Sequence, residues 1–351
     1  MKIAITTVQV PFITGGAELL TQNLKRALIE NRHECDIVTM PFYDNPIEVI
    51  EDYIISARLM NINDSWSGHI DLCIGLKFPA YFMPHDNKVI WALHQHRAAY
   101  DLFNTIYSDV KNNTEGNRIK NIISNADNIY LKEAKTIYSI AKNVSNRMKK
   151  FNNIISTPLY HPCPDMDKFY CNDYDDNYIL MPSRINQSKR QLLALEAMKY
   201  TKTNIKLYIV GRPDNQVVER EVIDTIKKFK LQNKVRYIGP VTQEEKFKLY
   251  AEAKAVLFIP IDEDYGYITL EAMSSSKAVI TTTDSGGPLE FIENGKNGLV
   301  VPPIATNIAD AIDNFAKSKN ICKQYGEDAK QILKEMNISW DNVVKELTKK
   351  R

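Results

Sequence analysis

The chain has 351 residues, and its 25% charged and 44% hydrophobic content is typical of a globular protein rather than a disordered one. At about 150 residues per domain, this length predicts roughly two domains. The 45 basic and 43 acidic residues give a net charge of +2, which argues against a dedicated nucleic-acid-binding protein. No apolar run approaches the roughly 18 residues of a membrane-spanning helix.

The N-terminal segment predicts a first strand rather than a signal peptide, because its short apolar run gives way to Thr6 and Thr7. The cysteines number five and form no C-x-x-C pair. This pattern predicts reduced thiols, without a disulfide framework or a zinc site. We therefore expect a cytoplasmic protein.

Strands alternate with helices along the first half of the chain. Residues 2–8 predict a strand, residues 17–31 carry apolar side chains at helical spacing, and residues 35–40 predict a second strand. Further strands are predicted at residues 71–76, 88–93, 128–131 and 154–158. This alternation is typical of a parallel sheet covered by helices on both faces.

Three prolines between residues 158 and 164 predict a domain boundary, because they cannot continue a helix or an interior strand. Beyond them, strands are predicted at residues 178–182, 206–211, 234–238, 255–260, 278–282 and 298–301, with helical segments between most of them. The pattern predicts an α/β protein with two doubly wound halves. Ligands of such sheets bind beyond the carboxyl ends of the strands, so the crevice between the halves is the expected site.

Two glutamates follow the strand predicted at residues 255–260. Gly266 would allow a tight turn into a helix whose unpaired N–H groups and dipole favour an anion such as a diphosphate. Glu263 lies in the loop before this helix and Glu271 within it, so the two carboxylates can contact different parts of one ligand. The residue types alone leave open that Glu263 and Asp264 merely favour the helix N-terminus and that Glu271 is a surface residue.

Two cations and a glycine pair follow other predicted strands. Arg184 and Lys189 lie five residues apart at a strand-to-helix turn, an arrangement that suits phosphate, although a generic basic loop has the same composition. Gly15 and Gly16 precede the first helix, where they either admit a phosphate or form a plain turn. The segment is not G-x-G-x-x-G, so a dinucleotide-binding fingerprint is absent.

His94 and His96 follow the strand predicted at residues 88–93. No Asp, Glu or Cys completes a ligand set nearby, so we predict no metal. His94 is either structural or a group at the ligand site. The absence of Walker A, G-x-S-x-G and H-E-x-x-H motifs argues against a kinase, a hydrolase and a zinc enzyme.

Taken together, these motifs resemble those of the retaining glycosyltransferases of family four, which have the two-domain GT-B fold. Glu263 and Glu271 match the family's E-x7-E motif, and Arg184 and Lys189 match its R-x4-K pattern. The segments 285–290 and 298–302, the glycine pair and the hinge at 160–162 recur in the same order. The resemblance covers essentially the whole chain and is strongest between residues 178 and 302.

The resemblance implies roles for individual residues. Arg184, Lys189, Glu263 and His94 would be catalytic: the two cations would neutralise the leaving diphosphate, Glu263 would bind the transferred sugar, and His94 would lie near it. Gly16, Asp264, Tyr265, Gly266, Tyr267 and Glu271 would bind the donor, with Glu271 on the nucleoside ribose. The implied domains are residues 1–160 on the acceptor side, 161–336 for the nucleotide sugar, and 337–351 as a helix that crosses back to the first domain.

The implied reaction is the transfer of a hexose from GDP-mannose or a UDP-hexose to a hydroxyl of a saccharide or lipid-linked saccharide, with retention of configuration, in surface-polysaccharide biosynthesis. It needs no metal and no other cofactor. Lys149–Lys150 and Lys349–Arg351 are either solvated or in contact with an anionic membrane surface, which would place the protein at the inner face of the membrane. The alternatives are a non-catalytic nucleotide-sugar binding module, or another GT-B enzyme such as an epimerase or a phosphorylase.

Overall fold

The computed structural model describes residues 1–12, 15–172 and 177–350. The chain divides into two compact units, the first formed by Met1–Pro164 with Ser339–Arg351 and the second by Asp165–Ile338. The first division directly follows Pro164, the last proline of the predicted hinge. Within the described residues, no helix combines the length and the apolar character needed to cross a membrane.

The first unit is built around a six-stranded sheet. Its strands and helices are β1 (Lys2–Gln9), α1 (Gly16–Glu30), β2 (Glu34–Pro41), α2 (Val49–Leu59), β3 (Asp64–Ser65), β4 (Gly68–His69), β5 (Leu72–Gly75), β6 (Lys88–Ala92), α3 (Thr114–Tyr130), β7 (Thr136–Ser139), α4 (Lys142–Asn152) and β8 (Thr157–Pro158). The strand order is β2-β1-β5-β6-β7-β8, and all of these pairs are parallel. The short strands β3 and β4 form a separate antiparallel pair.

The central strands β5 and β6 of this sheet are buried on both faces, which explains their short apolar sequences. All five residues of β6 and all four of β5 are buried. Helix α1 turns Leu20, Leu24 and Leu28 inward at helical spacing. The predicted strands at 2–8, 35–40, 71–76 and 88–93 are therefore confirmed.

The strand predicted at residues 128–131 is wrong, because these residues lie at the end of α3 and in the 3₁₀ turn that follows it. Asn113 begins this helix by accepting a hydrogen bond from the Gly116 amide at 2.8 Å. The buried Ile119, Ile123 and Ala126 then continue the helical periodicity to its end. The sheet strand is instead β7, and the segment predicted at residues 154–158 contains only the two-residue strand β8.

The C-terminal helix (Trp340–Thr348) belongs to the first unit. The ring of Trp340 lies 6.4 Å from the ring of Trp91 in β6 and stacks on His161 at 5.9 Å between centroids. The side-chain amide of Asn31, which follows α1, donates to the Asp341 carboxylate at 3.4 Å. Contacts between residues at opposite ends of the sequence therefore hold this unit together.

The second unit contains another six-stranded parallel sheet. Its elements are β9 (Tyr178–Pro182), α5 (Gln191–Tyr200), β10 (Lys206–Val210), α6 (Gln216–Lys228), β11 (Val235–Gly239), α7 (Gln243–Glu252), β12 (Ala255–Leu257), α8 (Tyr267–Ser274), β13 (Val279–Thr282), β14 (Gly298–Val301), α9 (Ala305–Lys317) and α10 (Lys319–Glu335). The strand order is β11-β10-β9-β12-β13-β14. Every strand predicted in this half is present, with shifted ends for β10, β11, β12 and β13.

The order of this second sheet reverses between β9 and β12. From β9 the chain proceeds outward through β10 and β11, then returns to the other side of β9 to form β12. Doubly wound sheets bind their ligands at such a reversal, beyond the carboxyl ends of the two strands. Residues 183–190 follow β9, and residues 258–266 follow β12.

Candidate functional site

The loops after β9 and β12 are joined through Lys189 and Glu263. The Lys189 ammonium group contacts the Glu263 carboxylate, and the two side chains are 12% and 26% exposed. The backbone of the same loops is connected by the Ile261 amide, which donates to the Ser188 carbonyl at 2.8 Å. Two residues that are 74 positions apart in the sequence therefore meet where the strand order reverses.

A capped turn presents Lys189. The Asn186 side-chain oxygen accepts hydrogen bonds from the Lys189 amide at 3.1 Å and from the Ser188 hydroxyl at 2.9 Å. These bonds close the short 3₁₀ turn Gln187–Lys189 directly after β9. The Lys189 ammonium also lies 5.5 Å from the centre of the Phe258 ring, so the β12 loop contacts it through an aromatic face as well.

Arg184 is far more accessible than Lys189. Its side chain is 65% exposed, and its Nη1 lies 3.4 Å from the carboxylate of Asp214 in the loop after β10. Exposed ion pairs of this kind stabilise proteins by less than about 1 kcal/mol. Arg184 can therefore exchange Asp214 for an incoming anion at little energetic cost.

The loop before α8 turns at Gly266, which has a φ of 87° and forms the N-cap of that helix. A Cβ atom at this position would lie 3.0 Å from the Phe258 ring, so a side chain there would be both strained and crowded. Tyr265 is buried with its ring perpendicular to that of Phe291, and Asp264 precedes it in the same loop. Tyr267 begins the helix, whose first N–H groups point towards the loop.

The segment after β13 supports this loop through its backbone. The Glu263 amide donates to the Ser285 carbonyl at 2.9 Å, and the Gly287 amide donates to the Glu263 carbonyl at 2.7 Å. The Asp262 amide likewise donates to the Asp284 carbonyl at 2.9 Å. Both the N–H and the C=O of Glu263 are therefore hydrogen-bonded to the segment after β13, and this fixes the position of the Glu263 backbone.

Gly287 tests the importance of this support. A Cβ at Gly287 would lie 2.7 Å from the Tyr265 carbonyl oxygen, and neither backbone can move independently of the other. We expect Gly287→Ala to lower the free energy of unfolding in urea by roughly 1–3 kcal/mol and to weaken nucleoside diphosphate binding about tenfold in calorimetry. Gly295→Ala is the control, because it is strained at a φ of +79° with nothing within 4 Å, and it should lose stability while keeping its affinity.

Glu271 is not a surface residue. Its side chain is 8% exposed, and its two oxygens accept hydrogen bonds from the Lys246 ammonium at 2.7 Å and from the Tyr250 hydroxyl at 2.6 Å. Lys246 and Tyr250 lie four residues apart and so share one face of α7. Neither was predicted from the sequence, where their helical spacing was visible but the facing carboxylate was not.

The bond between Tyr250 and Glu271 should contribute measurably to stability. Tyr250 is fully buried, so Tyr250→Phe leaves an oxygen of a buried carboxylate without its donor. We expect the free energy of unfolding to fall by about 1.5–3 kcal/mol in urea titrations. Tyr237→Phe removes a Tyr–carboxylate bond of 2.8 Å to Glu219 at a partly exposed position, and its loss should stay below about 1 kcal/mol. Equal losses in the two variants would contradict this expectation.

The remaining predicted residues, Gly16 and His94, belong to the first unit. Gly16 is the first residue of α1, next to Gly15, whose amide donates to the Glu18 carboxylate at 2.7 Å. Thr14, which precedes the glycine pair, lies outside the described residues. His94 follows β6 by two residues, and its Nδ1 lies 2.7 Å from the Gln95 carbonyl oxygen. Both therefore lie beyond the carboxyl ends of strands in the first sheet.

Over the ranges that the structure describes, no three His, Cys, Asp or Glu side chains are grouped so as to hold a metal ion. The charged side chains on the loops after β9 and β12 and on α8 include Arg184, Lys189, Glu263 and Glu271, and each of these has an oppositely charged partner. Arg184 and Lys189 are cations that can bind an anionic group, and Glu271 is a buried carboxylate held by two donors.

The fold is shared with a solved protein over nearly its whole length. The crystal structure of Anabaena Alr3699/HepE in complex with UDP and glucose superposes with a TM-score of 0.71 over 99% of this chain and 98% of that chain, at 15% sequence identity. At this identity the likeness establishes the fold alone. It confirms the predicted α/β GT-B architecture with two Rossmann-like domains.

The family follows from the sequence comparisons. Residues 166–332 match the model of the glycosyl transferases group 1. The chain is 26% identical to the alpha-1,3/1,6-mannosyltransferase ALG2 of Dictyostelium discoideum over 174 residues, which is 45% of this chain and 41% of that protein. This match lies within the second unit, and the resemblance to GT-B glycosyltransferases of family four is confirmed.

A bacterial glycosyltransferase matches a shorter part of the chain. The N-acetylgalactosamine-N,N'-diacetylbacillosaminyl-diphospho-undecaprenol 4-alpha-N-acetylgalactosaminyltransferase of Campylobacter jejuni is 28% identical over 126 residues, covering 36% of this chain and 33% of that protein. The chain therefore spans less than half the length of both curated relatives.

Proposed function

We propose that the protein is a retaining, metal-independent hexosyltransferase that moves a hexose from GDP-mannose or a UDP-hexose to a hydroxyl of a saccharide or lipid-linked saccharide. The observation that carries this proposal is the meeting of Lys189 and Glu263 at the strand-order reversal of the second sheet. Support for the donor class comes from the Anabaena protein, which binds UDP and glucose, and from the mannosyltransferase relative.

The reaction breaks the bond between the sugar C1 and the β-phosphate oxygen, and negative charge grows on the leaving diphosphate. Lys189, Arg184 and the first N–H groups of α8 would stabilise this charge, because preorganised donors can lower such a barrier by several kcal/mol. Glu263 would exchange its contact with Lys189 for hydroxyl groups of the sugar. The ion pair would thus separate when the donor binds, with Lys189 contacting the diphosphate and Glu263 contacting the hexose.

Retention of configuration follows from attack on the face that the diphosphate leaves. The acceptor hydroxyl forms the new bond to C1 and passes its proton to the departing phosphate oxygen, so no protein nucleophile takes part. Two residues of the first unit would take part in the same reaction. His94 would lie near the transferred sugar, and Gly16 would lie beside the β-phosphate.

Glu271 would bind the ribose of the donor. A carboxylate has about four acceptor positions, and Lys246 and Tyr250 occupy two of them in this structure. The remaining positions can accept from ribose hydroxyls. Burial of Glu271 then strengthens these bonds, since little water competes for the carboxylate.

The proposal is tested with a panel of nucleotide sugars, first for binding by calorimetry and then for transfer by product detection. Because the cations of Arg184 and Lys189 take the part that Mg²⁺ plays elsewhere, activity should survive excess EDTA within about twofold. Loss of turnover that Mn²⁺ or Mg²⁺ restores would refute metal independence. Binding without any transferred or hydrolysed sugar would point instead to a nucleotide-sugar binding module.

A lipid-linked acceptor in surface-polysaccharide synthesis is the substrate class we favour, because the Campylobacter relative is named for a diphospho-undecaprenol-linked acceptor. Lys149 and Lys150 end α4, and Lys349 and Lys350 follow the C-terminal helix, while Arg351 lies outside the described residues. Cations near an anionic membrane contribute about 1 kcal/mol each. Peripheral contact with the inner face of the membrane is therefore part of the proposal, and sedimentation with anionic vesicles tests it.

A further inference from the structure

Arg190, which directly follows Lys189, adopts an unusual backbone conformation. Its φ of 58° and ψ of 39° lie in the left-handed region, between the turn Gln187–Lys189 and helix α5. Glycine, asparagine and aspartate adopt this conformation most readily. The presence of arginine at such a position therefore indicates that its side chain makes contacts that a glycine could not make.

The Arg190 side chain is fully engaged by one carboxylate. Its Nη1 and Nη2 donate to the two oxygens of Asp284 at 2.8 and 2.6 Å, and Nη1 also lies 3.4 Å from the Thr282 hydroxyl. The Arg190 side chain is 16% exposed and that of Asp284 40%. Burial alone would raise the pKa of Asp284, but hydrogen bonds from Arg190 and Thr282 hold it below its ordinary value. The fork is thus an ion pair at neutral pH.

The ion pair spans β12, the strand whose following loop carries Glu263. Arg190 follows β9 and Asp284 follows β13, and β12 lies between these two strands in the sheet. The loop of β12 is attached to both ends of the bridge, since the Ile261 amide donates to Ser188 and the Asp262 amide donates to Asp284. A shift of either partner would consequently move Lys189 or Glu263.

We propose that Arg190 and Asp284 are a positioning pair that holds Lys189 and Glu263 in the arrangement required for hexose transfer. The effect on hexose transfer rests on the proposed function, whereas the effect on the positions of Lys189 and Glu263 does not. The bidentate fork has a fixed direction, so it sets the distance between the loops after β9 and β13 in a way that a single-point contact cannot.

The first test is structural and independent of activity. Crystal structures of Arg190→Ala and Asp284→Asn should show Lys189 and Glu263 no longer in contact, while the control Arg220→Ala, at an exposed position of α6, should retain the contact. If both single variants keep the contact, the positioning role is refuted. This result is obtained even if the wild-type protein transfers no sugar, in which case only the proposed function fails.

The second test measures steady-state kinetics. Misplacement of reacting groups by about 1 Å can reduce rates by two orders of magnitude, so we expect kcat to fall at least about tenfold in both single variants with donor KM within about threefold. Arg190→Lys keeps the charge without the fork and should be intermediate. It also serves as the decisive variant if Arg190→Ala does not fold.

The charge-swapped protein, with Arg190→Asp and Asp284→Arg together, should recover kcat to within about threefold of the wild type, because aspartate tolerates the left-handed conformation at residue 190. A merely structural role predicts another outcome. In that case kcat would fall only in proportion to the folded fraction, and kcat per folded molecule would equal that of the wild type in every variant.

Discussion

Replacing Lys189 with alanine should reduce kcat/KM for hexose transfer by ten- to a hundredfold. One charged hydrogen bond to the diphosphate is worth roughly 1.5–3 kcal/mol. In addition, Glu263 loses the cation that it contacts, so its carboxylate would face the incoming diphosphate without compensation. The loss should therefore lie towards the upper end of that range.

The same measurement on Arg184→Ala should give a smaller loss within that range, because this side chain is 65% exposed and water partly replaces its charge. Lys227→Ala is a matched control, since that lysine is 66% exposed on α6 and distant in sequence from the site. Wild-type kinetics in both Lys189→Ala and Arg184→Ala would mean that the diphosphate binds elsewhere.

Substitutions of the two glutamates should impair different steps, one the transfer of the sugar and the other the binding of the nucleotide. Glu263→Gln should damage transfer and the selectivity for the sugar, while free nucleoside diphosphate still binds with nearly unchanged affinity. Glu271→Gln should weaken nucleoside diphosphate and donor alike, because the ribose is common to both. The loop position of Glu263 beside Lys189 and the buried position of Glu271 within α8 are the reason for this difference.

Calorimetric titration of the nucleoside diphosphate into both variants measures the difference directly. Glu271→Gln also leaves the Lys246 ammonium without a carboxylate, so unfolding in urea must be recorded alongside. A folded Glu271→Gln protein with wild-type affinity would exclude the ribose role. Equal losses of affinity in the two variants would exclude the division between sugar and ribose.

The second sheet was predictable because its central strands β9, β12 and β13 are buried on both faces and so appear in the sequence as short, continuous apolar runs. The end of α3 was harder to predict, since Ile129, Tyr130 and Leu131 form an equally apolar run at the end of the helix and the start of the 3₁₀ turn. What decides between the two is the periodicity of the whole segment from Asn113 onward, which a four-residue window does not contain.

The partners of the site residues could not be predicted for a different reason. Glu271 and Lys246 lie 25 residues apart, and Arg190 and Asp284 lie 94 apart, with no local pattern linking either pair. These contacts depend on the order of strands in the sheet. The order places the loops of β9, β12 and β13 side by side, and it becomes known only when the chain is folded.

The C-terminal helix has a consequence for how the protein is made. Because Trp340 packs beside Trp91 and His161, the first unit lacks part of its own structure until residues 340–348 have left the ribosome. The second unit, by contrast, is continuous from Asp165 to Ile338 and is complete earlier during synthesis. Synthesis of the first unit therefore begins before that of the second unit, but its fold is completed after it.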